Sequence, residues 1–193
     1  MMRVPVLAPV DPVGHDVGTG RGVRPGRSDE HPGGAWMGKR VVKELTYDAS
    51  LEEVAAMLTD RTFRELVLER MRVVRGSVTV EGGVVTIEQV QSSSGLPSFA
   101  TRLVGDEIRI VQVETWRTTE RADVEMAIPG KPGEMAGTAT LVESGGRTTE
   151  RVDLEVTVRL PLVGGKIEGL VADMLGKALD TEHRTGVEWL ASR

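Results

Sequence analysis

Residues 163–193 carry the longest unbroken helical pattern in the chain, and it follows a series of segments with strand periodicity. On a helical wheel Ile167, Val171, Met174, Ala178, Glu182, Thr185 and Trp189 share one stripe, while Lys166, Asp173, Lys177, Asp180, His183 and Arg184 lie elsewhere. A helix of this length runs about 45 Å at 1.5 Å per residue, long enough to cross a whole sheet, and its single stripe must be buried against one. The expected class is therefore α+β: a curved antiparallel sheet of about seven strands, two short helices, and a long C-terminal helix laid across the sheet. Such an architecture encloses space between sheet and helix.

The order of elements before that helix reads β-α-α followed by six strands. A first strand is expected at 40–47. Ser50-Leu-Glu-Glu53 is a capping box that starts a helix with Val54, Met57 and Leu58 inward, and Asp60 caps a second helix with Phe63, Leu66 and Val67 inward. From Val73 the period drops to two, giving expected strands at 73–81, 84–91, 107–117, 121–128, 134–143 and 147–160. Gly82-Gly83, Thr118-Thr119, Pro129 to Gly133 and Gly145-Gly146 supply the turns of an antiparallel meander. In the last strand Val152, Leu154, Val156, Val158 and Leu160 alternate with Arg151, Asp153, Glu155, Thr157 and Arg159, so one face is dry and the other wet. The stretch 92–105 is longer than a hairpin needs, and its 97–104 portion reads as helical turns serving either as a lid or as an apolar plug.

Residues 1–36 hold 7 of the 23 Gly and 5 of the 9 Pro without apolar periodicity, a composition that predicts a disordered tail ahead of one domain at 37–193. Strand character begins just after Met37, so the tail reads as an over-extended gene start. Its charges cancel, which leaves the net charge of −5 on the body. Gly18 to Gly22 resembles a phosphate loop but has neither a preceding strand nor a following helix. The acidic balance and scattered basic residues argue against nucleic acid as a partner. No apolar run approaches the roughly 20 residues of a membrane span. The absence of cysteine removes thiolate catalysis and disulfides and fits a cytoplasmic protein.

Glu114-Thr-Trp116, Ile128-Pro-Gly-Lys-Pro132, Leu160-Pro-Leu-Val-Gly-Gly-Lys-Ile-Glu168 and Glu188-Trp-Leu190, together with the element order, resemble a bacterial branch of the START-like, or SRPBCC, superfamily, which includes polyketide cyclases and the birch-pollen allergen. The resemblance covers residues 38–193. It implies the helix-grip fold and a hydrophobic pocket between sheet and helix, and it transfers no catalytic residue. Fold of itself does not give function.

Among individual residues, Glu182 stands out because an acid on a core-facing stripe is costly unless paired, hydrogen-bonded or protonated. It reads either as a pocket acid or as the partner of a strand arginine such as Arg117. Glu114 shares an alternation face with Ile108, Ile110, Gln112 and Trp116, while Val111, Val113 and Thr115 form the other, and either face can be the inward one. Gly164-Gly165-Lys166 reads as a plain turn into the helix, His183 as an exposed helical histidine, and no Gly-x-Ser-x-Gly elbow is present. No metal and no cofactor are expected. The expected function is a carrier or sensor that binds a small hydrophobic, lipid-like molecule, with Phe99, Trp116, Met126, Leu154, Val156, Met174, Ala178 and Glu182 around it. The alternatives are a cyclase- or dehydratase-type enzyme using Glu182 or Glu114 as acid or base, and an interaction module with a filled core.

Overall fold

The computed structural model describes residues 38–193; the expectations for the 1–36 tail, its Gly18 to Gly22 loop and the Met37 start lie outside these residues. The elements are β1 (Lys39–Tyr47), α1 (Leu51–Leu58), α2 (Arg61–Arg70), β2 (Arg75–Glu81), β3 (Val84–Ser92), α3 (Ser98–Val104), β4 (Glu107–Thr118), β5 (Arg121–Ala127), β6 (Gly133–Ser144), β7 (Arg147–Val158) and α4 (Gly164–Ala191). The strands form one antiparallel sheet in the order β1-β7-β6-β5-β4-β3-β2, so the meander from β2 to β7 is extended by β1 pairing with β7.

Local chemistry explains the helix starts. Ser50 accepts from the Glu53 amide while the Glu53 carboxylate accepts from the Ser50 amide at 2.9 Å, and Asp60 accepts from the amides of Thr62 and Phe63 at 2.7 and 3.1 Å. Helix α2 buries Phe63, Arg64, Val67 and Leu68. Leu66, expected inside, is only half-buried, because the inward face is set one residue away and admits an arginine. Strand β2 begins at Arg75 and not at Val73: α2 runs on to Arg70, and Arg72 reverses the chain with φ of 56° before pairing can start. At the far end β7 stops at Val158, so Leu160 lies in the turn to α4 and not on the strand.

The core gathers Leu45, Tyr47, Val54, Met57, Leu58, Phe63, Val124, Leu154 and Leu179, among others, on the face of the sheet toward the helices. The opposite face carries cross-strand ion pairs such as Arg40 with Asp153, Arg109 with Glu88 and Arg117 with Asp123. Seven strands at about 4.8 Å spacing span roughly 29 Å, whereas a helix with its side chains is only about 10–12 Å wide. Helix α4 packs mainly on β1 and β7, and α1 and α2 fill the space beside it. One helix cannot cover the rest, and the shortfall appears beneath α3.

Candidate functional site

A half-open cavity of about 440 Å³ lies between the sheet and α4. Ile108 and Ile110 of β4, Met126 of β5, Val156 and Val158 of β7, and Ile167, Leu170, Val171, Met174 and Ala178 of α4 make its apolar walls. Leu103 and Val104 of α3, with Leu96 before it, cover one side. The Lys131 ammonium donates to the Leu103 carbonyl at 2.6 Å and ties the β5–β6 turn to that cover. Segment 97–104 is thus a short helix roofing an open cavity. The size falls within the range of about 300–1,000 Å³ typical of small-molecule sites.

The wet part of the lining is confined to a few side chains. Gln89, Gln91 and Gln112 line the cavity from the sheet and Glu182 from α4, while Arg70, Lys131, Glu134, Lys177 and Thr181 complete the polar lining. Behind Glu182 lies a cluster that shares one buried arginine. Arg64, 2% exposed, donates through Nε to the Leu58 carbonyl at 2.7 Å and through Nη2 to Glu114 Oε2 at 2.6 Å, and its Nη1 lies 3.1 Å from Glu182 Oε2. Glu114 also accepts from Gln112 Nε2 at 2.6 Å and from the Trp116 indole at 3.3 Å, so both of its oxygens are engaged. Among the described residues Glu150, 3% exposed, accepts only from the Tyr47 hydroxyl at 3.3 Å.

Three carboxylates around one guanidinium leave negative charge in excess, and burial penalises that charge further. Burial, with the charge of Glu182 next, pushes the Glu150 carboxyl up to about 8, against the opposing pull of Arg64. Burial also raises Glu182, where Arg64 opposes and Glu114 reinforces the shift. The Tyr47 hydroxyl is driven well above the usual phenol range by burial and then by Glu150 and Glu182. For Arg64 burial works against the charge, but Glu114, Glu182 and Glu150 outweigh it and hold the guanidinium protonated.

The structure resolves the open alternatives at the candidate residues. The face of β4 carrying Ile108, Gln112, Glu114 and Trp116 is the inward one. Glu182 is paired, but with Arg64 of α2 and not with Arg117, which points to the other face of the sheet and meets Asp123 at 2.9 Å. Met126, Val156, Met174, Ala178 and Glu182 all line the cavity. Three expected lining residues do not. Leu154 is sealed in the packed core, Trp116 packs between the two core clusters with its indole on Glu114, and Phe99 sits on the outer side of α3 at 37% exposure. His183 is half-buried rather than exposed, its Nε2 2.8 Å from the Thr46 carbonyl and its ring edge-on to Tyr47.

Arg64, Glu150 and Tyr47 were not anticipated as site residues. Glu150 had a readable signal, since Thr148 and Glu150 continue the inward set of Val152, Leu154, Val156 and Val158 by steps of two. Arg64 had none, because a charged residue on an amphipathic helix ordinarily marks the solvent face.

Comparison with known proteins agrees with this architecture. Residues 43–190 match the family described as "Protein of unknown function (DUF2505)". The uncharacterized protein Rv0481c of Mycobacterium tuberculosis (strain ATCC 25618 / H37Rv) is 32% identical over 168 residues, covering 76% of this chain and 93% of its own. TTHA0849 from Thermus thermophilus superposes with a TM-score of 0.59 at 18% identity, over 80% of this chain and 98% of that one. The di-domain ARO/CYC BexL gives 0.60 at 12% identity, over 80% of this chain and 50% of the di-domain protein. Ara h 8.0201 gives 0.53 at 9% identity, over 78% of this chain and 98% of that one. At such identities the likeness establishes the fold, which is the START-like helix-grip fold.

Proposed function

This chain belongs to the DUF2505 family and has the START-like fold, and from that premise we propose that it is a carrier or sensor binding a small hydrophobic or lipid-like molecule between sheet and α4. The observation that carries this reading is the cavity of about 440 Å³, whose walls are largely aliphatic and whose polar lining includes the buried carboxylate of Glu182. Ligand sites commonly combine apolar walls with a few convergent polar groups. In this reading Met126, Val156, Met174 and Ala178 contact the apolar body of the ligand, and Glu182 orients its polar end. The location proposed with it is cytoplasmic, in keeping with a chain free of cysteine.

Titration with the neutral fluorophore N-phenyl-1-naphthylamine tests this. Saturable one-to-one enhancement is expected for the native chain, with loss of binding in Ala178→Trp and Met174→Trp, which fill the cavity from α4. Absence of saturable binding by the native chain refutes the reading.

A second reading is favoured by one observation: Glu182 is a cavity-facing carboxyl whose pKa burial raises, the condition under which a carboxyl serves as general acid or base near neutral pH. This is the cyclase- or dehydratase-type alternative. It requires Glu182→Gln to abolish turnover of a bound substrate while the substrate still binds. Turnover that survives this substitution removes Glu182 from the chemistry.

A further inference from the structure

We propose that the ligand of this cavity is an apolar molecule ending in a protonated amine, which Glu182 receives; the inference rests on the ligand-binding reading above and names its ligand class. The argument begins with donors. Arg64 spends Nε on Leu58, Nη2 on Glu114 and Nη1 on Glu182. Glu150 is left with the Tyr47 hydroxyl. One guanidinium therefore stands among three almost fully buried acids, and uncompensated carboxylates there are strongly disfavoured unless a proton or a cation joins them.

Glu182 is the member of the cluster that can meet such a cation. It is only 8% exposed and its Oε2 is turned to Arg64. Glu182 lines the cavity, and no hydrogen bond to its Oε1 is formed among the described residues. No cation of the described residues answers it from that side. Arg70 is held by Glu188 at 2.6 Å and Lys131 by the Leu103 carbonyl, while Lys177, which also lines the cavity, is exposed, stands about 140° around α4 from Glu182 and makes no ion pair with it. Gln89, Gln91 and Gln112 are neutral, and the Gln112 amide is already committed to Glu114. A carboxylate headgroup would meet like charge at this end, and an alcohol would offer a single donor. An ammonium brings both charge and donors, so among apolar chains of equal length it gains most.

A proton linkage follows from the same geometry. The groups facing Glu182 are Arg64 from α2, Glu114 from β4, Glu150 from β7 and Tyr47 from β1; on α4 itself His183 turns to Thr46, and Asp180 pairs with Lys43 outside the cluster. With Glu150 raised to about 8, the cluster retains a proton there near neutral pH, and burial shifts Glu182 in the same direction. An arriving ammonium displaces this proton charge. Amine affinity therefore rises with pH through about 8, while the amine, like lysine with a pKa of about 10.4, stays charged.

The test is displacement of N-phenyl-1-naphthylamine from the full chain by decylamine, 1-decanol and decanoate at about pH 6 and about pH 8.5, repeated with Glu182→Gln. The proposal expects decylamine to displace at least about tenfold more strongly than decanol at the higher pH, a smaller preference at the lower pH, decanoate weakest, and a preference lost in Glu182→Gln. The comparison of native protein at two pH values stands even if the variant does not fold. Equal displacement by amine and alcohol, a preference indifferent to pH, or decanoate as the best competitor overturns the amine assignment and leaves the cavity as an apolar site. Failure of the native chain to bind the fluorophore at all overturns both.

Discussion

Arg64 Nη2 lies 2.6 Å from Glu114 Oε2, and the two side chains are 2% and 6% exposed. The pair links the second short helix to the fourth strand beneath the core, and Glu182 on the terminal helix shares the same guanidinium. Removing such charges from water costs several kcal/mol per ion, and only satisfied hydrogen bonds offset it. Here the arginine fork also holds the Leu58 carbonyl at the end of α1, so one side chain ties both short helices, the sheet and the long helix together.

Loss of Arg64 is therefore predicted to be severe. Arg64→Met leaves Glu114 and Glu182 buried without a counter-charge, at a cost of about 3–5 kcal/mol in urea unfolding. Arg64→Lys also destabilises, since an ammonium cannot reproduce the planar fork. Adding Glu114→Gln and Glu182→Gln to Arg64→Met should restore most of the loss. An undiminished deficit in the triple variant would show that packing, not charge, sets the cost.

Stability should fall as pH rises toward 8. Glu150 is raised to about 8 in the folded protein, so between the ordinary glutamate value and 8 the native state retains a proton that the unfolded chain has released. Its favourable contribution is complete below the unfolded value and is lost as pH climbs through the folded one; Glu182 shifts in the same direction. The melting temperature is predicted to be higher at pH 5.5 than at pH 8.5, and Glu150→Gln to flatten that slope. An equal slope in the variant would contradict the assignment to Glu150.

The architecture was legible because periodicity, turns and caps act locally: the glycine turn at Gly82-Gly83, the Ser50 capping box and the alternation of β7 each declare their element without knowledge of its neighbours. Glu182 was legible for the same reason, as an acid on an apolar stripe. Its partner was not, because the choice of Arg64 over Arg117 depends on which face of the sheet each arginine reaches. Glu114 sat on a strand whose two faces both mix apolar and polar residues, so alternation alone does not orient it. The cavity itself depends on the width of the sheet relative to one helix. That also explains why Val171, Met174 and Ala178 are half-buried while Ala172, Leu175 and Leu179 are packed.

Gly137 should tolerate no side chain. A Cβ there would stand 2.0 Å from the Asp153 carbonyl oxygen and 2.9 Å from Leu154 Cα, both backbone atoms of the paired strand β7. Gly137→Ala is predicted to destabilise by at least about 1–3 kcal/mol, the usual cost of overpacking. A melting temperature equal to that of the native chain would count against the close approach of β6 and β7 at this point.

The cover over the cavity should loosen when its tether is cut. Lys131→Ala removes the 2.6 Å hydrogen bond to the Leu103 carbonyl, which lies in the last turn of α3. Amide hydrogen exchange in residues 98–104 should accelerate while exchange in β7 is unchanged, and the bound fluorophore should dissociate faster. Exchange unchanged in α3 would show that the helix is held by other contacts.

The central claim is that the space between sheet and α4 holds an apolar ligand. Native mass spectrometry of the full chain, purified from the cells that make it and followed by denaturing extraction, tests it most directly. The account predicts a one-to-one adduct whose extracted compound is apolar and carries an amine; a bare protein mass, unchanged after incubation with decylamine or N-phenyl-1-naphthylamine, would contradict it.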